Sequence, residues 1–444
     1  MRRLPALAAL ALAWSGCGPD DSGGSGTGGP GGGPAPPGRP NVVLVLADDL
    51  GFADLGVHGA TDVRTPHIDS IAARGVRFTD AYVPGCVCSP TRAGLLTGRY
   101  PQRFGHERNL RHPFPPGAGL PVGEKTLADC LKAVGYATGI VGKWHLGIES
   151  AFFPLARGFD EFFGFLYGDH SYLDWDAEPG NPVYRQDQPV VESTYLTDAF
   201  TREAVSFIDR HRDGPFFLYL AYSAPHDPLE APQAYLDRFP AIADPRRRTF
   251  AAMLSALDDG VGAVLDRLRV HGIEDETLVI FLSDNGGIPA ENTSRNDPFR
   301  GQKGHLYEGG IRVPFLAQWP GRFPAARIET RPVSALDLFT TALAAAGGSP
   351  PGDRIIDGVN LLPYLDGSNP GAPHRILFWK YGSPAAVRKG AWKLVKVGSN
   401  PSQLFDLASD PGEQTDLAAS RPDVVAELEA DLAVWKAELV PPLW

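Results

Sequence analysis

Short apolar runs alternate with amphipathic stretches along most of the chain. The first run, Asn41-Val-Val-Leu-Val-Leu46, is unbroken, which predicts a strand buried on both faces. Runs at 136–144, 215–221 and 277–282 predict further buried strands. Helical patterns lie between them. Thr65-Pro66 reads as an N-cap followed by proline in the first turn, with Gly75 as the stop. Residues 124–134 form a second helix closed by Gly135, and Thr197 caps a third that runs to about Arg212. Over 247–270, Phe250, Leu254, Leu257, Val261, Leu265 and Leu268 recur near helical spacing, and Asp258-Asp259 reads as part of the solvated face. Strands alternating with helices predict an α/β fold: a mostly parallel central sheet with helices on both faces.

The C-terminal pattern differs. A helix over 335–346 is followed by strand-like runs at 375–381, 385–389, 391–397 and 403–406, then a helix over 421–438. Adjacent short strands with tight turns predict a small antiparallel sheet packed by that helix. The chain therefore divides into a large α/β domain over 41–365 and an α+β subdomain over 366–444.

Composition changes the picture mainly at the N-terminus. Glycine (51) and proline (42) make up about a fifth of the 444 residues, well above the average. Ten glycines and six prolines fall within residues 18–40, a segment that cannot bury a core and reads as a flexible tether. Ahead of it, Arg2 and Arg3 precede an apolar run over 4–14, too short to span a bilayer permanently. That run ends in Trp14-Ser15-Gly16-Cys17, which resembles a bacterial lipobox. Residues 1–17 are thus expected to be a lipoprotein-type signal, placing the protein in the periplasm or on the cell surface, anchored to the membrane only through Cys17. The net charge of −11 excludes a nucleic-acid binder, which needs a basic face. Three further cysteines, Cys86, Cys88 and Cys130, are too few for a disulfide framework; Cys86 and Cys130 either pair or stay as free thiols.

The candidate chemistry sits after the buried strands. Asp48-Asp49 follows the first, Asp284-Asn285 follows the run ending at Leu282, and His226 lies a short turn after Ala221. In open α/β sheets the crevice outside the carboxyl ends of the strands is the ligand site. Three carboxylates and an amide are oxygen donors suited to a hard cation such as Ca²⁺ or Mg²⁺. In Cys88-Ser-Pro-Thr-Arg92, Ser89 fits an N-cap and Pro90 the first turn, which puts Cys88 just ahead of a helix N-terminus with Arg92 reinforcing an anion-attracting field. Lys143 and His145, two apart in a predicted strand, point to the same side. Asp174, Trp175 and Asp176 are candidates for lining a cleft, whereas His58, His67, His106, His112, His170 and His305 have no motif to place them.

Cys88-Ser-Pro-Thr-Arg92 followed by Ala-Gly-Leu-Leu-Thr-Gly98 resembles the signature of type I sulfatases, in the alkaline phosphatase superfamily. Gly135-Tyr-Ala-Thr-Gly-Ile-Val-Gly-Lys-Trp-His145 is similar to the family's second signature. Asn41 to Gly51, Ala224-Pro-His226, Ser283-Asp-Asn-Gly286 and Lys303 through Pro314 are family-like in the same order. The stretch from Pro154 to Asp169 is similar to arylsulfatase A-like and N-acetylgalactosamine-6-sulfatase-like members.

The resemblance implies an alkaline phosphatase-like fold and hydrolysis of sulfate monoesters of carbohydrates or aryl alcohols. Cys88 would be oxidised to formylglycine by a formylglycine-generating or sulfatase-maturating enzyme, and its hydrate would supply the nucleophilic hydroxyl. Asp48, Asp49, Asp284, Asn285 and the modified Cys88 would hold Ca²⁺. Arg92, Lys143 and His145 would orient the hydrate; Lys143, His226 and Lys303 would bind the sulfate oxygens. His226 or Lys303 would protonate the leaving alcohol, and His145 is the favoured base for the collapse that expels sulfate. A phosphonate monoester or phosphodiester hydrolase with the same nucleophile is the alternative enzyme reading. A lipoprotein that binds sulfated glycans without cleaving them is the alternative of another class.

Overall fold

A computed structural model describes residues 38–174 and 180–444. Among the described residues its central sheet has ten strands, in the spatial order Arg327–Glu329, Val76–Phe78, Phe315–Gln318, Thr277–Ser283, Asn41–Ala47, Phe216–Ala221, Ala137–Lys143, Glu161–Phe165, Tyr184–Arg185 and Gln188–Pro189. The five strands from Thr277–Ser283 to Glu161–Phe165 are mutually parallel, and antiparallel pairs occur only toward the edges. The expected mixed, mostly parallel sheet is therefore present.

The Asn41–Ala47 strand shows why the run has no polar alternation. Val42, Leu44 and Leu46 enter one core; Val43, Val45 and Ala47 enter the other. The first core is covered by the helices Cys88–Thr97, Leu127–Ala133 and Asp337–Ala345, the second by Pro66–Arg74, Leu196–His211 and Pro245–Val270. Helices thus lie on both faces of the sheet.

The C-terminal strands Ile376–Lys380, Ala385–Lys389, Trp392–Lys396 and Gln403–Asp406 form a separate antiparallel sheet. Ala385, Val387, Leu394 and Leu404 face Val424, Leu428, Leu432 and Trp435 of the Pro422–Ala437 helix. Leu377, Trp379, Ala386, Val395 and Phe405 on the other face join the core beneath the central sheet.

Three local expectations are corrected. Thr197 does not cap the third helix, which begins at Leu196 with Tyr195 at its N-cap. Thr65 does not cap Pro66–Arg74; its hydroxyl donates to Asp69 and accepts from the Gly56 N–H. Asp258, read as solvated, is buried and accepts from the backbone N–H groups of His67 (3.1 Å) and Ile68 (2.8 Å). The long helix thereby supplies the missing cap. Asp259 does reach solvent, where it pairs with Arg238. Cys86 and Cys130 are both free.

Candidate active site

The carboxyl ends of the parallel strands converge on one crevice. Lys143 is the last residue of its strand, Asp48-Asp49 and Asp284-Asn285 follow theirs directly, and His226 lies five residues past Ala221. Backbone bonds tie the turns together: Asp284 N–H donates to Ala47 O (3.1 Å) and Asp48 N–H to Ala224 O (3.2 Å). Asp49 adopts a left-handed backbone (φ 59°), which turns its carboxylate toward Lys303 and Asn285.

The Cys88–Thr97 helix enters from the other side, and all ten of its residues are buried. Cys88 is its first residue and not a group just ahead of it, and Ser89 is not the N-cap. The Ser89 hydroxyl donates to His145 O (2.7 Å) and accepts from His106 Nε2 (2.6 Å). The Ser89 N–H, one of the amides free at a helix start, donates instead to Asn109 Oδ1 (2.9 Å). His106 and Asn109 are thus parts of the site's support that no sequence motif marked.

Every predicted site residue lies within this assembly. Cys88 Sγ is 3.6 Å from Asp48 Oδ1. Lys143 Nζ donates to Asp48 Oδ2. Arg92 reaches Asp48 (3.1 Å) and Asp284 (2.9 Å) and donates to Lys143 O. Lys303 Nζ donates to Asp49 Oδ2 (2.9 Å) and lies 3.1 Å from His226 Nε2. Burial pushes Cys88 up, but Lys143 and Lys303 more than offset it and hold the thiol below its ordinary range.

The donor set fits a hard cation. Asp48, Asp49, Cys88 and His226 present ligand atoms within 4.8 Å of one another. Burial pushes the Asp284 carboxyl up, and the Asp48 carboxylate beside it pushes further; a bound cation would relieve that repulsion. Asn285 donates its amide N–H₂ to Asp49 Oδ1 (2.6 Å) and Gly286 O, which leaves its Oδ1 buried with no hydrogen-bond partner among the described residues. A carbonyl oxygen orphaned beside three carboxylates is what an oxygen-coordinated ion requires.

The two histidines differ. Burial and the Lys143 ammonium hold His145 neutral, well below its ordinary range. Its Nε2–H donates to Leu110 O (2.9 Å), so Nδ1, buried and unpartnered, carries the lone pair. Burial lowers His226, but Asp49 and Asp48 outweigh this and raise it to about 9. Its Nδ1–H donates to Asp227 O (2.6 Å), so Nε2 faces Lys303 and Asp49. Because His145 lies past the end of its strand in a left-handed backbone (φ 56°), strand alternation does not relate it to Lys143.

Above these groups opens a cavity of about 490 Å³, with Cys88, His145, His226 and Lys303 in its wall. Arg111, His112, Phe114, Tyr167, Asp169 and Tyr381 also line it; Tyr167 and Asp169 fall in the family-like stretch 154–169, and no sequence motif marked the other four. Of the other unplaced histidines, His58 and His170 bond to backbone carbonyls and His305 is exposed away from this cavity. Trp175 and Asp176 lie outside the described residues, and Asp174 does not line the cavity.

The sulfatase family matches residues 40–349, and the family described as N-sulphoglucosamine sulphohydrolase, C-terminal, matches residues 301–438. The chain is 40% identical over 404 residues to N-acetylgalactosamine-6-sulfatase of Mus musculus, covering 85% of this chain and 76% of that one. It is 35% identical over 460 residues to arylsulfatase A of Homo sapiens, covering 90% and 88%. A crystal structure of Ps i-CgsB aligns with a TM-score of 0.88 at 37% identity, covering 91% of this chain and 94% of that one. A second structure of it, in complex with k-i-k-neocarrahexaose, aligns with a TM-score of 0.87. With the signature residues gathered around one buried cysteine and these likenesses running along most of its length, the chain belongs to the sulfatase family.

Proposed function

We propose that the protein is an exported, calcium-dependent hydrolase of carbohydrate sulfate esters, working through a formylglycine made from Cys88. The observation that carries this reading is the ring of charge around Cys88: Asp48 at 3.6 Å from its sulfur, with Lys143, Arg92, Lys303 and His226 bonded into the same carboxylate cluster. Relatives named for a sugar sulfate, and a neighbour solved in complex with k-i-k-neocarrahexaose, support a carbohydrate ester over a small aryl one.

Asp48, Asp49, Asp284, Asn285 and the modified residue 88 would hold the calcium ion. When bound, these two groups supply charge stabilisation for the sulfate oxygens and a hydroxyl nucleophile. The remaining work falls to side chains. Lys143, Lys303 and His226 bind the sulfate oxygens, where negative charge builds. Lys143 and Arg92 also fix the Asp48 carboxylate that faces residue 88. His226, protonated near neutral pH, donates a proton from Nε2 to the leaving alcohol oxygen, with Lys303 beside it as the alternative donor. His145 Nδ1, neutral and unpartnered, accepts the proton that must leave the nucleophile's second hydroxyl when sulfate departs.

The reading includes a catalytic domain over 41–365 and a subdomain over 366–444: the residues assigned to the metal, the nucleophile and the sulfate all precede 304, while Tyr381 of the subdomain reaches the cavity lining. The signal over 1–17, the tether over 18–40 and lipidation at Cys17 complete the proposal; residues 1–37 lie outside the described residues. Two measurements test it together. Tryptic mass spectrometry of the active native protein should find formylglycine at position 88. Ion chromatography should detect sulfate released from a panel of sulfated saccharides. Active protein carrying only unmodified cysteine would overturn the mechanism, and modified protein that releases no sulfate from any saccharide would overturn the activity.

A further inference from the structure

The cavity over Cys88 does not end at the sulfate site. Asn109, Arg111, Gly304 and Tyr381 line it and also line a second, wider cavity of about 740 Å³ that continues toward the C-terminal sheet. The two are one branched cleft.

Its charge is lopsided. The wall of the first cavity includes Asp169, Asp227 and Glu291, and among the described residues the second has no acidic side chain in its lining. The second contains Arg108 and Arg111, both exposed, and neither makes an ion pair among the described residues. That sets them apart from their neighbours: Arg99 pairs with Glu124 and Arg103 with Asp357. Both guanidiniums also bear on the Tyr381 hydroxyl, and an Arg108 nitrogen lies 3.9 Å from where a Cβ on Gly382 would sit. On a protein of net charge −11, two arginines with no ion pair among the described residues, lining one cleft with a tyrosine beside the active site, are a local reversal of sign. Guanidinium groups are shaped for oxyanions, and a tyrosine ring offers an apolar face to the C–H face of a sugar.

We propose that Arg108 and Arg111, with Tyr381 in the same lining, form a second anion subsite that binds another sulfate of the same chain, so that the substrate is an oligo- or polysaccharide bearing more than one sulfate. The acidic residues of the first cavity repel such a chain, and this sets its direction: away from Asp169, Asp227 and Glu291 and toward the C-terminal sheet. The inference rests on the sulfatase reading of the Cys88 site and adds to it the class of substrate.

Binding tests it apart from catalysis. The calcium-loaded Cys88→Ser protein is titrated with sulfated hexasaccharides from carrageenan, chondroitin 6-sulfate and heparin, with their desulfated forms, and with inorganic sulfate. At least one sulfated hexasaccharide should bind more tightly than inorganic sulfate, and raising the salt should weaken it. Arg108→Ala/Arg111→Ala in the same background should weaken that hexasaccharide about tenfold or more beyond any change for inorganic sulfate. Equal losses for both ligands, no loss, desulfated forms that bind as well, or no hexasaccharide tighter than inorganic sulfate would each overturn the subsite. Failure of sulfate release from the saccharide panel would instead overturn the reading of the Cys88 site.

Discussion

Lys393, on the C-terminal sheet, forms a wholly buried ion pair with Glu308 at 2.7 Å, five residues after Lys303 of the site. Lys393 also pairs with Glu413 at 2.9 Å, and Glu413 accepts from the Glu308 N–H at 2.6 Å. Removing the ammonium leaves two carboxylates buried together. Lys393→Met should therefore cost about 3–5 kcal/mol in urea unfolding, far more than a surface ion pair of the same length. A loss below about 1 kcal/mol would show that the network is not holding the sheet to the loop.

The same network sets a pH dependence. Burial, with Glu308 adding to it, raises Glu413 to about 7 against the opposing pull of Lys393. Between its ordinary value near 4.5 and about 7 the folded protein holds a proton at this site that the unfolded chain has lost. Its contribution to stability is present below that window and declines as pH rises through it. Glu413→Gln should flatten the fall in unfolding free energy between pH 5 and 7.5, read from denaturant curves at each pH; an unchanged slope would contradict the assignment.

Calcium should stabilise the fold by linkage. At a free concentration one hundred times its dissociation constant the gain is about 2.7 kcal/mol, and chelation should reverse it. Asn285→Ala removes the orphaned amide oxygen and should shrink the gain, while magnesium should substitute poorly. Equal melting temperatures with calcium and with chelator would exclude a resident ion.

A methyl group at Gly168 would meet the His145 ring at 2.9 Å from Cε1 and 3.0 Å from Nε2. Gly168→Ala should shift the imidazole and lower kcat for sulfate release by about 100-fold, with a much smaller change in unfolding free energy. A normal kcat would remove His145 from the proton-transfer steps.

Asp258→Ala should cost about 1 kcal/mol by uncapping the Pro66–Arg74 helix, with sulfate release unchanged. A neutral result in thermal unfolding would mean that water replaces the carboxylate without loss.

What the sequence made legible was contiguous. The strands, their helices and the groups after Ala47, Lys143 and Ser283 lie within single short motifs, where hydrophobic period and residue order suffice. What it hid depends on partners far along the chain. Asp258 caps a helix at His67, 191 residues away, and a polar residue facing a distant helix end has the same local pattern as one facing water. Asn109 and His106 serve the Cys88 helix from a loop with no periodicity. Ser89 was misread because its hydroxyl, free to cap in a local view, is claimed by His145. Arg108 and Arg111 stand out only once the acids that neutralise other arginines are seen to be elsewhere.

The C-terminal sheet is covered on both faces, by its own helix and by the core beneath the central sheet. The sequence pattern changes near residue 365, but the folding does not divide there. A fragment ending there would present the apolar seat of Leu377, Trp379 and Phe405 to water and would leave the Glu308 carboxylate with Arg312 and Tyr82 but without Lys393. Exchange of the tail between relatives, to graft one specificity onto another, would succeed only when this seat is transplanted with it.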